Sequence, residues 1–337
     1  MRDAARMALI GNVEKERNSS VIAWLTGDRQ RMETRIAFDQ MSLMYDHLIE
    51  LGPQERIDIF LYSPGGMTLA GFAVVNLLRE FCKHLSVLIP FRAHSCATLI
   101  SLGADEIVMG RLGQLSPIDP AVASPYNPVV PGSPPGILNF LPLSVEDVGG
   151  YLDLARKEFG LKEEPSMNKV LESLSSKVHP IALGSVQRSR EQIGMLAKKL
   201  LISRRLKNRG RGVDNLVSTL TRKLGSHDYI ISRREAKEDL GLPVIYPAAT
   251  FESLMWKLFK EYQKAMELTV PYNLDATLGT SPEADATFRR GYVESRNLTH
   301  VYETRRHLRR VEFAQQGIPT PAIQEITLSD GWVEYRA

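Results

Sequence analysis

Residues 57–66 read IDIFLYSPGG, and residues 85–109 read LSVLIPFRAHSCATLISLGADEIVM. In each stretch a run of β-prone apolar residues ends at a turn, and a helix-forming segment follows the turn. Two such units in succession, closed by a short strand over 106–109, predict parallel strands joined by helical crossovers. The sequence therefore predicts an α/β fold.

The flanking segments extend this pattern on both sides. A β-prone run over 20–25 and an amphipathic helix over 34–51 precede the two units. Residues 117–142 carry eight prolines and are expected to be an irregular excursion. Beyond a helix over 250–268, the tail over 299–335 alternates polar and apolar residues as antiparallel strands do. We therefore predict a main domain over 1–249 and a helix and β-hairpin appendage over 250–337.

Composition excludes several classes of protein. The 337 residues are 43% hydrophobic and 24% charged, which is typical of a globular chain. The formal net charge of +3 is too small to require a nucleic-acid partner, and the basic stretch over 188–211 has no interleaved aromatic residue. No apolar run reaches the roughly 18 residues that span a bilayer, and no secretory signal is present. Cys82 and Cys96 alone form no cysteine-based zinc site. We expect a cytoplasmic protein without a metal or cofactor.

Two turns carry the residues suited to chemistry. The glycines of SPGG let the backbone approach a ligand closely, and backbone N–H groups of this kind stabilise the oxyanion of acyl transfer. Ser95 also follows a strand and precedes a small-residue helix, which would expose its Oγ on a turn. Each feature has a simpler interpretation: SPGG as a plain strand-to-helix turn, and Ser95 as a helix N-cap. Both turns follow the carboxyl ends of successive strands, the edge where open α/β sheets bind ligands.

Several motifs occur in an order that is characteristic of one superfamily. They are TGDR (26–29), FLYSPGG (60–66), LIPFRAHSCATLISLGADEIVM (88–109), GQLSPIDP (113–120), HPIALG (179–184) and HDYIISRREAKEDLGLPV (227–244). Over about residues 21–246 the chain resembles the Clp protease/crotonase superfamily, and within it the serine dehydrogenase proteinase family of the signal-peptide-peptidase-like branch. The resemblance implies a Clp/crotonase-type spiral of βαβ units, with a small antiparallel C-terminal appendage in this chain.

The resemblance also implies roles for individual residues. Ser95 matches the nucleophile of the A-x-S-A-G-T pattern. Gly66, with Gly65 beside it, and the amide of Cys96 match the oxyanion hole. The Cys96 thiol takes the place of a small residue and is expected to be packed rather than nucleophilic.

The general base differs from that of the better-known relatives. Signal peptide peptidases use a lysine after the serine, but no lysine occurs between Lys83 and Lys157. The Clp peptidase uses a histidine shortly after the nucleophile's helix, and the comparable stretch LSPIDP (115–120) has none. The stretch DYIISRREA (228–236) matches the segment of the Clp triad aspartate, which implies that role for Asp228. We hypothesise that its neighbour His227 is the base. The remaining candidates for the base are His94 and His179, and those for lining the site are Asp119 and His94.

These observations favour a serine peptidase-like hydrolase that acts on a peptide or protein substrate. Two alternatives stay open: a crotonase-like acyl-CoA enzyme that uses the same oxyanion hole, and a non-catalytic oligomeric scaffold that has lost the base. Relatives of this fold close into rings or stacked trimers, so we also expect a homo-oligomer.

Overall fold

A computed structural model describes residues 3–118, 121–122, 124–130, 140–141, 143–203, 212–226, 228–315 and 318–336. The helices are α1 (Ala4–Arg17), α2 (Gln40–Leu51), α3 (Thr68–Phe81), α4 (Cys96–Leu102), α5 (Val145–Asp153), α6 (Glu164–Ser175), α7 (Pro180–Ser203), α8 (Val213–Ser218), α9 (Arg233–Glu238), α10 (Ala249–Ala265) and α11 (Leu274–Leu278). Single π-helical turns follow α5 (Leu154–Glu158) and α8 (Thr219–Lys223).

The strands are β1 (Ser20–Thr26), β2 (Gln54–Tyr62), β3 (Cys82–Ile89), β4 (Arg92–Ala93), β5 (Glu106–Met109), β6 (Gln114–Leu115), β7 (Ala121–Val122), β8 (Leu143–Ser144), β9 (Ile231–Ser232), β10 (Val244–Ile245), β11 (Glu283–Glu294), β12 (Leu298–Gln315) and β13 (Ile318–Arg336). The predicted βαβ alternation, β2–α3–β3–α4–β5, is confirmed. Within the described residues no helix has both the length and the apolar character needed to cross a membrane.

One mixed sheet organises the strands in the order β10-β5-β3-β2-β1-β11-β12-β13. The strands from β10 to β1 pair in parallel, and β11, β12 and β13 continue the sheet in antiparallel pairing. The α/β fold and the antiparallel C-terminal strands are therefore confirmed. Strand β11 was not predicted, because its amino-terminal half is polar and half-exposed and so has no apolar run.

Helices bury the parallel strands on both faces. On one face, Phe251, Leu258 and Phe259 of α10 join Phe60 and Leu88 of the strands in one apolar cluster. Successive side chains alternate between the faces of a strand, and the last six residues of β2 are all buried. Burial of both faces is the arrangement expected of a parallel sheet with helical crossovers.

The chain forms two compact units, residues 1–115 with 232–337, and residues 116–231. These units do not coincide with the predicted domains 1–249 and 250–337. The reason is that the C-terminal strands are not a separate module: β11 pairs with β1, with Trp24 opposite Val293. The unit over 116–231 contains the Pro-rich segment, where β7 pairs with β8 and Val129 bridges to Phe140.

Candidate active site

The turn after β2 is held by backbone hydrogen bonds to the segment that carries Ser95. The Ser63 N–H donates to the Arg92 carbonyl at 3.0 Å, and the His94 N–H donates to the Ser63 carbonyl at 3.0 Å. The Ser63 Oγ accepts the Gly65 N–H at 2.9 Å and the Thr26 hydroxyl at 2.7 Å. Both hydroxyl residues are fully buried. These hydrogen bonds hold the glycine turn in place against the segment that carries Ser95.

Ser95 has a strained backbone between β4 and α4. Its φ of 51° and ψ of −112° lie where residues with a side chain rarely occur. It occupies the N-cap position of α4, but its side chain makes no capping hydrogen bond. Ser232, by contrast, caps α9 conventionally by accepting the Glu235 N–H at 3.2 Å. The N-cap interpretation of Ser95 is therefore wrong.

The structure has no room for a side chain at Gly65 or at Gly66. A Cβ on Gly65 would lie 2.8 Å from the Ser95 Cβ and 3.3 Å from its Oγ. A Cβ on Gly66 would lie 2.1 Å from the Ile36 carbonyl oxygen. The glycine turn and the Ser95 side chain are thus in direct contact, as the carboxyl-edge argument predicted.

Two backbone amides at this junction are available for a ligand. Over the described ranges, neither the Gly66 N–H nor the Cys96 N–H donates a hydrogen bond. The Gly65 N–H, in contrast, donates to Ser63. The Gly65 N–H is thus already engaged by Ser63, and the oxyanion-hole roles of Gly65, Gly66 and Cys96 stay predictions.

The Cys96 thiol is packed in the interior. The residue is fully buried, and its Sγ lies 3.2 Å from the Met67 carbonyl oxygen. Burial raises the pKa of this thiol to about 12. A Cβ on Gly71 of α3 would lie 2.4 Å from the same sulfur, so the glycine gives the thiol its space. Only the backbone of Cys96 can reach a ligand.

The candidates for the general base lie at different places in the structure. His94 is half-buried beside Ser95, and its N–H is used by the turn. His227 and Asp119 lie outside the described residues. Asp228 is exposed in the unit over 116–231, where its N–H donates to the Ser226 Oγ at 3.2 Å. His179 stacks on Tyr126 within the same unit, with ring centroids 4.9 Å apart.

Sequence reasoning missed an ionic brace beside the turns. The Tyr62 hydroxyl donates to Asp28 Oδ1 at 2.7 Å, and Arg92 donates to Asp28 Oδ2 at 2.6 Å. Burial and the adjacent Asp28 carboxylate raise the pKa of Tyr62. Asp28 and Tyr62 lie at the carboxyl ends of β1 and β2, and Arg92 follows β3, so the edge rule that singled out Ser95 could have found them.

Both turns lie in a segment with identifiable relatives. Residues 1–130 match the family model of the ClpP-like SDH-type serine proteinases. The resemblance predicted from the motifs is confirmed over this segment. Gly65, Gly66, Ser95 and Cys96 all lie within the matched residues 1–130, whereas His227 and Asp228 lie outside them.

Individual relatives cover less of the chain. Two uncharacterized proteins of Methanocaldococcus jannaschii, MJ1495 and MJ0137, are 30% and 29% identical over 123 and 122 residues. The aligned regions cover 35% and 34% of this chain and 42% and 43% of the relatives, so the chain spans less than half the length of either. A solved structure, that of a mutant of the 1510-N membrane-bound stomatin-specific protease, aligns at 13% identity with a TM-score of 0.36. That alignment covers 64% of this chain and 77% of the other.

Proposed function

We propose that this chain is a serine peptidase that cleaves peptide bonds through an acyl-enzyme on Ser95. The observation that carries the proposal is the conformation of Ser95. Its backbone is strained, its hydroxyl does not cap the helix, and its side chain contacts a turn whose glycines admit no Cβ. Strain of this kind costs of order 1–3 kcal/mol and is concentrated at functional sites. The match of residues 1–130 to a serine proteinase family supports the same chemistry.

The proposed reaction begins when the Ser95 Oγ attacks the carbonyl carbon of the peptide and loses its proton to the general base. The N–H groups of Gly66 and Cys96 then stabilise the oxygen that becomes negative. The base returns the proton to the leaving amine as the C–N bond breaks. Water attacks the acyl-enzyme in the same way, which releases the acid and restores Ser95.

A fluorophosphonate probe tests the nucleophile. We expect the full chain to be labelled once, and Ser95→Ala to abolish labelling without loss of the folded state. Cys96→Ala is the matched control, because it changes the adjacent side chain, keeps the amide, and restores the small residue of the family pattern. An unlabelled parent chain would contradict the proposal and favour the acyl-CoA enzyme or the scaffold.

The general base is proposed to be His227, with Asp228 as its orienting partner. The proposal rests on the motif over 228–236, which resembles the segment of the Clp triad aspartate. We expect His227→Gln to lower the rate of probe labelling by about 10²–10⁴-fold, the range for general bases. The parallel variants His94→Gln and His179→Gln should leave the rate unchanged. A loss in either of those variants, with His227→Gln unaffected, would reassign the base.

A further inference from the structure

One histidine and two carboxylates converge on the face of the molecule formed by α2, β12 and β13. They are Asp46 of α2, His300 of β12 and Glu334 of β13, and one ligand atom from each lies within 4.8 Å of the others. His300 is only 3% exposed, whereas both carboxylates reach the surface. The imidazole is therefore held in place by the protein, and its acidic partners are open to solvent.

The spacing of two of these groups suits a shared ion. His300 Nε2 lies 3.4 Å from Glu334 Oε2. That separation exceeds the range of about 2.7–3.2 Å for a good N–H···O hydrogen bond. Two ligands of a tetrahedral ion, each about 2.0–2.2 Å from the metal, stand roughly 3.3–3.6 Å apart. The distance of 3.4 Å between His300 Nε2 and Glu334 Oε2 therefore fits two ligands of one ion better than a direct hydrogen bond.

A chain of hydrogen bonds supports the other side of the imidazole. His300 Nδ1 lies 3.2 Å from His47 Nε2, and His47 Nδ1 lies 2.7 Å from the Ser295 Oγ. A metal on His300 Nε2 places the ring proton on Nδ1, from which it donates to His47, and His47 donates in turn to Ser295. When the His47 proton is on Nε2 instead, its acceptor is the Val293 carbonyl at 3.1 Å. Metal-bound histidines characteristically donate their second N–H to such a partner.

The local charge also favours a divalent cation. Glu50 lines the open cleft of about 800 Å³ that contains Asp46 and Arg336. Arg336 donates from Nε to Glu334 Oε1 and from a terminal nitrogen to Oε2 at 3.4 Å, and Oε2 lies equally far from His300 Nε2. Among the described residues, none forms a hydrogen bond or ion pair with the carboxylate of Asp46, which lies within helix α2. Three carboxylates thus face one guanidinium, an excess of two negative charges.

We propose that Asp46, His300 and Glu334 bind a divalent transition-metal ion of the zinc type, and that the ion fastens β13 to α2. One imidazole and two carboxylates are ordinary zinc ligands, and water would complete the tetrahedron. The sequence predicted no metal, because Asp46 precedes His300 and Glu334 by more than 250 residues and the three form no motif.

A second histidine on β12 provides a natural control. His307 also has two acidic neighbours, with Nδ1 2.8 Å from Asp285 Oδ1 and Nε2 3.7 Å from Glu283 Oε2. Here the carboxylates contact different ring nitrogens, on opposite sides of the imidazole, so they cannot share one ion with it. The two sites therefore match in composition and differ in geometry.

Isothermal titration of the chelator-treated full chain with ZnCl₂ tests the proposal. We expect one Zn²⁺ per chain, with affinity reduced at least about tenfold in Asp46→Asn and in Glu334→Gln. His307→Gln should leave the affinity unchanged. Both carboxylates are exposed, so these variants should fold, and the test does not depend on substituting the buried His300.

Amide hydrogen exchange supplies a second readout. Zn²⁺ should slow exchange in residues 331–336 of the parent chain and have no such effect in Asp46→Asn. The proposal is overturned if the parent binds no Zn²⁺ at micromolar concentrations, if Asp46→Asn and Glu334→Gln bind like the parent, or if His307→Gln abolishes binding. Binding without slower exchange in residues 331–336 would overturn the fastening role.

Discussion

At the scale of single residues, the site depends on where side chains are missing. Gly65 packs against the Ser95 side chain, and Gly66 packs against the Ile36 backbone. Both contacts are too close to leave room for a Cβ on the glycine. Ser95 itself keeps a φ of 51°, a value at which glycine would be less strained, although only serine provides the hydroxyl. The strained backbone of Ser95 and the close packing of the glycines therefore belong to the same contact between the two turns.

Replacing Gly66 by alanine should disable the turn. The new Cβ would lie 2.1 Å from the Ile36 carbonyl oxygen, so the backbone must move, at an expected cost of about 1–3 kcal/mol in the free energy of unfolding. Fluorophosphonate labelling of Ser95 should be lost with it. Gly331→Ala is the control, because its Cβ would meet no atom within 4 Å. Parental stability and labelling in Gly66→Ala would show that Gly66 is a plain turn residue.

The Cys96 thiol should be inert in the folded protein. With a pKa of about 12 it is ionised in roughly one molecule in ten thousand at pH 8, and the sulfur is buried. We expect iodoacetamide to leave Cys96 unmodified at pH 8, as measured by mass spectrometry, and to alkylate it after denaturation. Ser329→Cys, on exposed β13, provides a reactive thiol for comparison. Equal rates at the two positions would contradict the assignment.

At the scale of elements, a buried ionic network joins the N-terminal helix to the C-terminal strands. Arg6 of α1 donates to Glu294 of β11 through Nε at 2.9 Å. The same carboxylate accepts from the Tyr262 hydroxyl of α10 at 2.6 Å and from Thr299 of β12 at 2.8 Å. Burial is the largest effect that raises the pKa of Tyr262, and the Glu294 carboxylate adds to it. One carboxylate thus connects four elements.

Removing this carboxylate should be costly. Glu294→Ala leaves the Arg6 guanidinium, 5% exposed, with only the half-exposed Asp3 carboxylate at 3.8 Å, and breaking a buried pair in this way costs about 3–5 kcal/mol. We expect the urea midpoint to fall accordingly. The exposed pair of Arg234 and Glu238 is the control, since Glu238→Ala should change the free energy of unfolding by less than about 0.5 kcal/mol. Similar midpoints for both variants would show that the network is not a source of stability.

The elements also show what sequence alone can predict. Strands β2, β3 and β5 were predictable because apolar runs ended at turns, and the edge rule then placed Ser95 beside the glycine turn. Neither the pairing of β11 with β1 nor the convergence of Asp46 with His300 was predictable, because both join residues more than 250 positions apart. Ser63 and Thr26 were missed because nothing in the sequence distinguishes a buried hydroxyl from an exposed one. Contacts between residues close in sequence could be predicted, whereas contacts between distant residues could not.

At the scale of the whole molecule, β13 ends the large sheet. Val301 and Leu308 of β12 are buried, whereas Ile326 and Leu328 of β13 are 44% and 50% exposed in the single chain. A long strand with exposed apolar side chains at a sheet edge is a surface that soluble proteins usually cover.

We expect a homo-oligomer in which β13 contributes to the interface. Sedimentation equilibrium at micromolar concentration should give a mass well above the 37.8 kDa of one chain. Leu328→Lys should weaken the association, because a charge on an edge strand opposes pairing. Leu171→Lys on α6 is a matched control with 52% exposure. A single 37.8 kDa species for the parent chain would exclude the oligomer.

The pairing of β1 with β11 has a consequence for how the protein is made in a cell. Val293 is translated about 270 residues after its partner Trp24. At about 5–20 residues per second, a ribosome needs tens of seconds to cover that interval. During this time β1 is present on the nascent chain without β11 beside it. In the finished protein six of the seven residues of β1 are buried. Ribosome-bound chaperones that shield β1 should therefore raise the yield of folded protein more than those acting on the released chain.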